Sequence, residues 1–456
     1  MAKAFIDDTN LTNIANAIRT KLGVADTYLP SEMAGAIGQI GGDLVYGVQW
    51  DTDNSSPTLT RIGNMMMHRI LPIQSMMRRC LVTDTGVVTY LSENDSTKLA
   101  DDTTADLTGA SGQVMVEIPR HWRKFVTSGR TRQVLLSIVP LQGYHEVPTM
   151  YVSAYEAALD RVNNKLASVV NTTADFRGGN NTAEWDGTYH SLLGMPATNI
   201  DTTTFRTYAR ARGTGWEMYA CEVHYIIYWL FCVEYATFNS QLGYNSSLTG
   251  EGYKQGGLGS GVTTWNTTNW NNYNERNPLI PCGATNSLGN NTGTVSVTPT
   301  AGGGYTPPTF DVPSYRGVEN PFGHVWKWSD GAMMVYESSS PNFYVCPLSK
   351  HNSWASTKNS DYELKGTLAT SSGVYAKRHL FGNDGEVVPD QAGGTGTSAT
   401  TYLCDYYYIT LSSTRVLAWG GHASSGANAG LGSALADSEF SITHSNCGSR
   451  LCYFPF

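Results

Sequence analysis

Hydrophobic and polar positions along the chain divide it into three textures. In the first, Leu11, Ile14, Ala15, Ile18 and Leu22 recur at helical spacing, with Asp8, Thr9 or Asn10 placed to cap and Gly23 to stop. A second short helix is expected after Pro30, carrying Met33, Ile37 and Ile40, and Gly41-Gly42 breaks the chain. Two short helices with one apolar stripe each form no stable core alone. Residues 1–42 therefore read as a helical attachment or oligomerisation module, or as a hairpin packed on the next domain. In the second texture, residues 43–112, LVYGVQW and GVVTYL alternate like strands and DTDNSSP and TDTG supply turns. The methionines of the Asn64–Cys80 segment are expected to fill a core, by default, or a subunit interface, and the polar, acidic stretch from Glu93 to Gly112 to be a loop or linker.

The third texture runs from Gln113 to the end. VMVEI and VLLSIV read as strands around a turn at Ser128-Gly129, and YVSAYEAAL as a strand running into a helix. Phe205–Arg212 is a short helical candidate. Trp216–Phe238 is the longest, apolar nearly all round and so expected to be buried on most faces. After Ser240 the chain is rich in Gly, Asn, Thr and aromatics with little periodicity. Trp265, Trp270, Trp326 and Trp328 are the expected pins of this irregular stretch.

Composition narrows the function. The 456 residues are 41% apolar, enough for real cores, and only 15% charged with a net charge of −8. The basic footprint of a nucleic-acid binder is missing. The 26 tyrosines, 11 tryptophans and 47 glycines resemble the palette of recognition surfaces, in which aromatics give rigid area and small polar residues adapt. The start of the chain shows no basic segment followed by an apolar one, so no export signal is expected. The most apolar stretch, Tyr225–Val233, is far shorter than the about twenty residues of a membrane span, so no membrane insertion is expected. The eight cysteines are spread along the whole chain and read as reduced thiols made in a cytoplasm. Sequons such as Asn171 and Asn266 read as by-products of Asn/Thr-rich loops.

Three motifs occur in order: the Trp216–Phe238 segment, VENPFGHVWKWSDG at Val318–Gly331, and RVLAWGGHASSGANAGL followed by CGSRLC. Together they resemble the formylglycine-generating-enzyme-like branch of the C-type lectin fold. A narrower set, YVSAYEAALDRVNNKLASVVN, EGYKQGGLGSGV, SYRGVENPFGHVWKWSDG and GGHASSGANAGL, resembles the variable proteins of diversity-generating retroelements in gut phages, among them the tropism-determining proteins of phage tails. The TYLPSEM segment near the N-terminus resembles the attachment ends of tail-fibre proteins. The resemblance implies an α+β chain: a C-type lectin-fold domain over 113–456, preceded by the small β-rich domain and the N-terminal helical module. It also implies a variable region at about 402–453, where side chains change on a fixed frame.

Within that region the resemblance nominates a ligand-binding face: Tyr407, Tyr408, Ala418, Trp419, His422, Ser424, Ser425, Gly432, Ser433, Ala434, Leu435, Asp437, Ser438, His444 and Ser445. Tyr407, Tyr408, Trp419 and His422 would be broad anchors, and Gly432, Ser433 and Ala434 a shallow depression. Gly420, Gly421, Gly426, Ala427, Ala429, Gly430, Gly448, Arg450 and Cys452 would be the fixed frame. Such a face belongs to a non-enzymatic receptor-binding protein of the virion tail, assembled in the host cytoplasm and expected as a homotrimer that gains by avidity. Its partners would be a host-surface protein or glycan and other tail proteins.

Two other readings compete with this one: a structural tail protein, and a formylglycine-generating oxidase. The oxidase needs two converging thiolates, yet Cys452 falls on a structural position of the family and Gly421–Ser441 contains no cysteine. No catalytic residue and no cofactor is expected. No second His or Cys lies at metal spacing around His422, and calcium in the lectin domain stays open. His324 reads as a hydrogen-bonded structural histidine. Asp311, Glu319 and Asp330 read as loop or cap acceptors rather than cation ligands, and the glycine runs at 256–257 and 302–304 as turns.

Overall fold

The run CEVHYIIYWLFCVEY folds as the helix Cys221–Tyr235, and all of its residues but Glu222 are buried. This comes from a computed structural model, which describes residues 8–22, 44–173, 176 and 193–456. Trp216–Met218, expected as the first turn of that helix, is instead a strand, and the helix starts after Ala220. A helix that is apolar all round cannot lie on a surface, and this one packs on the strands Val45–Asp51 and Trp326–Glu337 of two different sheets.

The first sheet is antiparallel, in the order Thr60–Gly63, Val45–Asp51, Thr131–Ser137, His121–Ser128, His145–Val147. The second runs Trp216–Met218, Leu451–Tyr453, Met150–Ser153, Gln113–Ile118, Arg78–Val82, Val88–Tyr90. The third, of nine strands, is built on the long strand Trp326–Glu337, paired with Ser340–Val345 on one side and Thr414–Trp419 on the other. The fold is thus α+β, with strands predominating among the described residues.

These sheets overturn the expected boundary at 112/113. Val45–Asp51 pairs along its whole length with Thr131–Ser137, and Arg78–Val82 with Gln113–Ile118. One hydrophobic cluster runs from Tyr46 to Phe454. The strands expected within 43–112 do form, but their partners lie beyond the boundary. The Glu93–Gly112 stretch is the expected loop, folded by Asx turns in which Asp95, Asp101 and Asp106 each accept from the backbone N–H two residues on.

Other expectations divide. The first helix spans Asp8–Leu22, with Ala15 and Ile18 buried. The helix expected after Pro30 lies outside the described residues. Met67 and Met77 enter the core, whereas Met65, Met66 and Met76 stay exposed on and beside the short helix Met65–Ile70. YVSAYEAAL does not continue into a helix: after Met150–Ser153 the chain bends and forms the strand Ala158–Asp160. The Phe205–Arg212 candidate is the helix Thr202–Arg210, capped by the Asp201 carboxylate on the Thr204 N–H. All four pinning tryptophans are buried.

The core carries polar groups that tie its parts together. Trp229 stacks on Trp50 at 5.6 Å and donates to the Gly385 carbonyl at 2.7 Å. Gly385 has a positive φ, and a Cβ there would lie 2.3 Å from the Phe125 ring. Glu234 accepts from Arg316 and from the Tyr315 hydroxyl. Beneath the NPFGHVWKW segment lies a buried charge cluster. His324 accepts the Leu279 and Ile280 N–H groups on Nε2, so its Nδ1 carries the proton shared with Glu156. Lys327 reaches the other Glu156 oxygen at 2.8 Å and two backbone carbonyls at 2.9 Å. Burial acts to raise the Glu156 carboxyl, but the Lys327 charge and the hydrogen bond from His324 hold it down to about 2, and burial lowers Lys327 to about 8. His324 is structural, as expected. So are the three acids. Glu319 accepts the Gly283 and Thr285 N–H groups, Asp330 pairs with Arg206, and exposed Asp311 accepts from Ser296.

Because the first two sheets are closed by strands from both sides of residue 112, a chain beginning at Gln113 leaves Thr131–Ser137 and Gln113–Ile118 with unpaired edges. The 113–456 fragment is expected to show no cooperative unfolding transition by circular dichroism in urea, while the full chain shows one.

Candidate functional site

The long strand Trp326–Glu337 and its neighbour Thr414–Trp419 fix the floor of the C-terminal region. From Trp419 the chain leaves the sheet through Gly420 and Gly421, both with positive φ. It loops over His422–Gly430 and returns as Ala434–Ala436, antiparallel to Thr414–Trp419 and parallel to Tyr406–Ile409. The last loop, from Asp437, comes back to lay Cys447–Gly448 alongside Trp326-Lys327. These turns enclose a groove of about 380 Å³.

Seven of the nominated residues line it: Tyr408, His422, Leu435, Asp437, Ser438, His444 and Ser445. Trp326 presents an edge between two of them, its ring 6.2 Å from Tyr408 and 6.2 Å from His422, both nearly perpendicular. The His422 ring also packs 5.6 Å from Trp270, and its Nδ1 lies 3.2 Å from the Ser425 hydroxyl and 3.3 Å from the Ser424 N–H. Ser424 and Ser425 thus brace the histidine. Burial, with the Arg276 charge adding to it, pushes the His422 pKa down to about 4, so the ring is neutral at pH 7. Burial raises the Tyr408 hydroxyl, which stays protonated. Asp437 accepts from the neighbouring Ser438 hydroxyl at 2.8 Å.

Six of the other nominated residues do not face outward, and the structure corrects them. Trp419 has no exposed surface. It stacks on His224 of the central helix at 4.3 Å and donates to the Ser329 hydroxyl at 2.9 Å. Ala418 lies in the same strand, opposite Trp328 on one neighbour and Leu435 on the other. Both are buried because this strand is interior to its sheet and covered on both faces. Tyr407 is buried and donates to the Ala369 carbonyl. Gly432 is sterically locked: its N–H donates to Asp405, and a Cβ would lie 2.5 Å from that carboxylate and 2.9 Å from the Tyr228 ring. Ser433 is a buried brace, donating to the Asn428 carbonyl and accepting the Tyr406 N–H, and Ala434 is buried beside it. These positions form the frame of the groove rather than its face.

Sequence reasoning missed Arg276, Asn446 and Cys447, which also line the groove. Arg276 is exposed and sits in a left-handed turn after the helix Thr267–Asn274. The Ser445 hydroxyl donates to the Glu275 carbonyl at 2.6 Å and so fastens that turn to the last loop. No local pattern marks Arg276, because only the tertiary contact brings it there. Burial and the Asp437 charge raise the Cys447 thiol well above its usual range. All eight cysteines are buried and free, and no group of three metal-ligating side chains forms among the described residues. None of the described helices is long and apolar enough to cross a membrane.

No family model matches the chain, and no curated protein does. Among solved structures, that of PvdO from Pseudomonas aeruginosa is similar at 11% identity, covering 75% of this chain and 94% of that one, with a TM-score of 0.33.

The division between frame and face is measurable by equilibrium urea denaturation. Trp419→Ala empties a fully packed site and is expected to cost about 3–5 kcal/mol. Gly432→Val drives a side chain into Asp405 and Tyr228 and is expected to cost about 1–3 kcal/mol or more. Asp437→Ala and His444→Ala, on the face, are expected to stay within about 0.5 kcal/mol of the parent.

Proposed function

We propose that this protein is the receptor-binding component of a phage tail, and that the groove between Tyr408, His422, Asp437 and His444 is its host-contacting face. The observation that carries this reading is the convergence itself. Side chains nominated from the C-terminal stretch meet at one groove, on strands and glycine turns that are buried and braced. Asp437, His444 and Ser445 lie outside the hydrophobic core, so side-chain exchange there leaves it untouched. Exchange at Trp419 or Gly432 does not, which confines the variable set to the lining residues and their braces Ser424 and Ser425.

The same reading takes the domain from 113 onward as a C-type lectin fold of the formylglycine-generating-enzyme-like branch, diversified by a retroelement. It also takes the working unit as a homotrimer in the virion. Ligand capture is by shape and aromatic contact. The groove is half-open, with aromatic edges beside polar groups, the mixture that gives rigid area with adaptable hydrogen bonding. Burial holds Cys447 and Cys452 as thiols, the latter pushed up to about 12, which speaks for binding rather than thiol oxidation chemistry.

Alanine at Tyr408, His422 and Asp437 together is expected to lower virion adsorption to host cells by about tenfold or more, with the isolated protein still unfolding cooperatively in urea. Unchanged adsorption by the folded triple variant would remove the groove from host recognition. A near-copy of the 3′ end of the gene nearby, differing only at adenines, is the sequence observation expected alongside it.

A further inference from the structure

The groove holds two opposite charges that the chain does not pair. Arg276 lines one part of it, and its guanidinium makes no hydrogen bond or ion pair among the described residues. Asp437 lines another part, and its carboxylate takes only the hydroxyl of the neighbouring Ser438. The cation and the anion share one groove without joining each other.

The backbone under Arg276 is fixed. Glu275 and Arg276 are both left-handed, with φ of 56° and 64°, a conformation that non-glycine residues hold only where neighbours impose it. The Glu275 N–H closes on the Asn271 carbonyl at 2.8 Å, and the Ser445 hydroxyl holds the Glu275 carbonyl at 2.6 Å. The arginine therefore starts from a set position beside the last loop, which reduces the entropy lost when it takes a ligand.

His422 adds a directed donor. The Ser424 N–H can only donate, so the histidine Nδ1 at 3.3 Å accepts, and the neutral ring carries its proton on Nε2. That Nε2–H has no acceptor among the described residues and is not shut in the core. The Arg276 charge acts on this ring, adding to the effect of burial, so the cation and the donor lie on the same side of the groove.

A guanidinium beside an N–H donor calls for an anionic acceptor. Asp437 limits its charge, because a phosphate group carries about twice the charge of a carboxylate and meets correspondingly more repulsion from that acid. Asp437 is also an acceptor in need of donors, which hydroxyl groups of the same ligand supply. Trp326 and Tyr408 offer aromatic surface beside it, and the volume of about 380 Å³ suits a small ligand. One carboxylate, several hydroxyls and an apolar ring face together describe a sugar acid.

We propose that the groove binds a carboxylate-bearing sugar, with its carboxylate on Arg276 and the His422 Nε2–H and its ring hydroxyls on Asp437. This rests on the groove being the ligand face, and it narrows the host ligand to an acidic glycan.

The test is ligand-observed NMR titration of the full-length protein with methyl β-D-glucuronide. Methyl β-D-glucoside is the neutral analogue, inorganic phosphate the more highly charged anion, and Nα-acetyl-glutamate amide the acidic-peptide source. Saturable binding of the glucuronide, about tenfold or more tighter than that of the glucoside, is the expected result. Arg276→Gln is expected to bring the glucuronide to the level of the glucoside, with the urea midpoint unchanged because the side chain is exposed. Asp437→Asn is expected to weaken glucuronide binding by about threefold, through loss of a charged acceptor for its hydroxyls. Equal binding of glucoside and glucuronide, glucuronide binding unchanged by Arg276→Gln or tightened by Asp437→Asn, or tighter binding of phosphate would overturn the proposal. Tighter binding of the acetyl-glutamate amide would overturn it in favour of an acidic protein segment. Loss of adsorption in the triple alanine variant without any glucuronide binding overturns this proposal alone. Glucuronide binding that Arg276→Gln abolishes, with adsorption intact in both variants, upholds it and instead removes the groove from host recognition.

Discussion

The helix Cys221–Tyr235 is the constraint on which the rest of the molecule depends. A helix buried on all sides must find internal partners for the polar atoms on its surface, and each partner it takes fixes another part of the chain. Glu234 holds Arg316 and the strand before it, Tyr228 reaches His379 at 2.9 Å, and Trp229 reaches Gly385. His224 stacks on Trp419. Through these contacts one fifteen-residue element orders strands from the N-terminal, middle and C-terminal parts of the sequence.

The groove inherits its rigidity from this arrangement. Trp419 is held between the helix and the long strand, so the loop that leaves it starts from a fixed point. Asp405 then holds Gly432, and Ser433 ties that turn back to Asn428 and Tyr406. Of the lining side chains, Asp437 and His444 lie outside these clamps and outside the hydrophobic core, whereas Leu435 belongs to that core and Tyr408 packs against it. Exchange of such side chains as Asp437 and His444 changes the chemistry of the groove without changing its shape.

Burial also governs the ionisable groups. The Lys327–Glu156–His324 cluster is shut from water and offset by its own contacts, with carbonyls and amides taking the remaining bonds. Its role is to hold the NPFGHVWKW segment, and with it Trp326, at the edge of the groove.

The sequence by itself determined several of the elements, though not all of their bounds. Periodicity located the first helix, the strands near Tyr46, Val88, Val116 and Val134, the short helix capped by Asp201 and the buried central helix, because those signals arise from each segment's own apolar spacing. The motif resemblance drew attention to the C-terminal stretch. Only the tertiary structure decided which strands pair, and so that residues 43–112 share their sheets with Gln113–Ile118 and Thr131–Ser137. Only it decided which nominated side chains face the groove. Alternation along a strand says that neighbours point to opposite faces, but not whether both faces are covered. Trp419 and Tyr408 are both aromatic and both fit a strand pattern. One lies under the helix and the other at the rim, and the difference is made by residues far away in the chain. Arg276 entered the groove in the same way, through a left-handed turn fastened by Ser445, a long-range contact that no local pattern encodes.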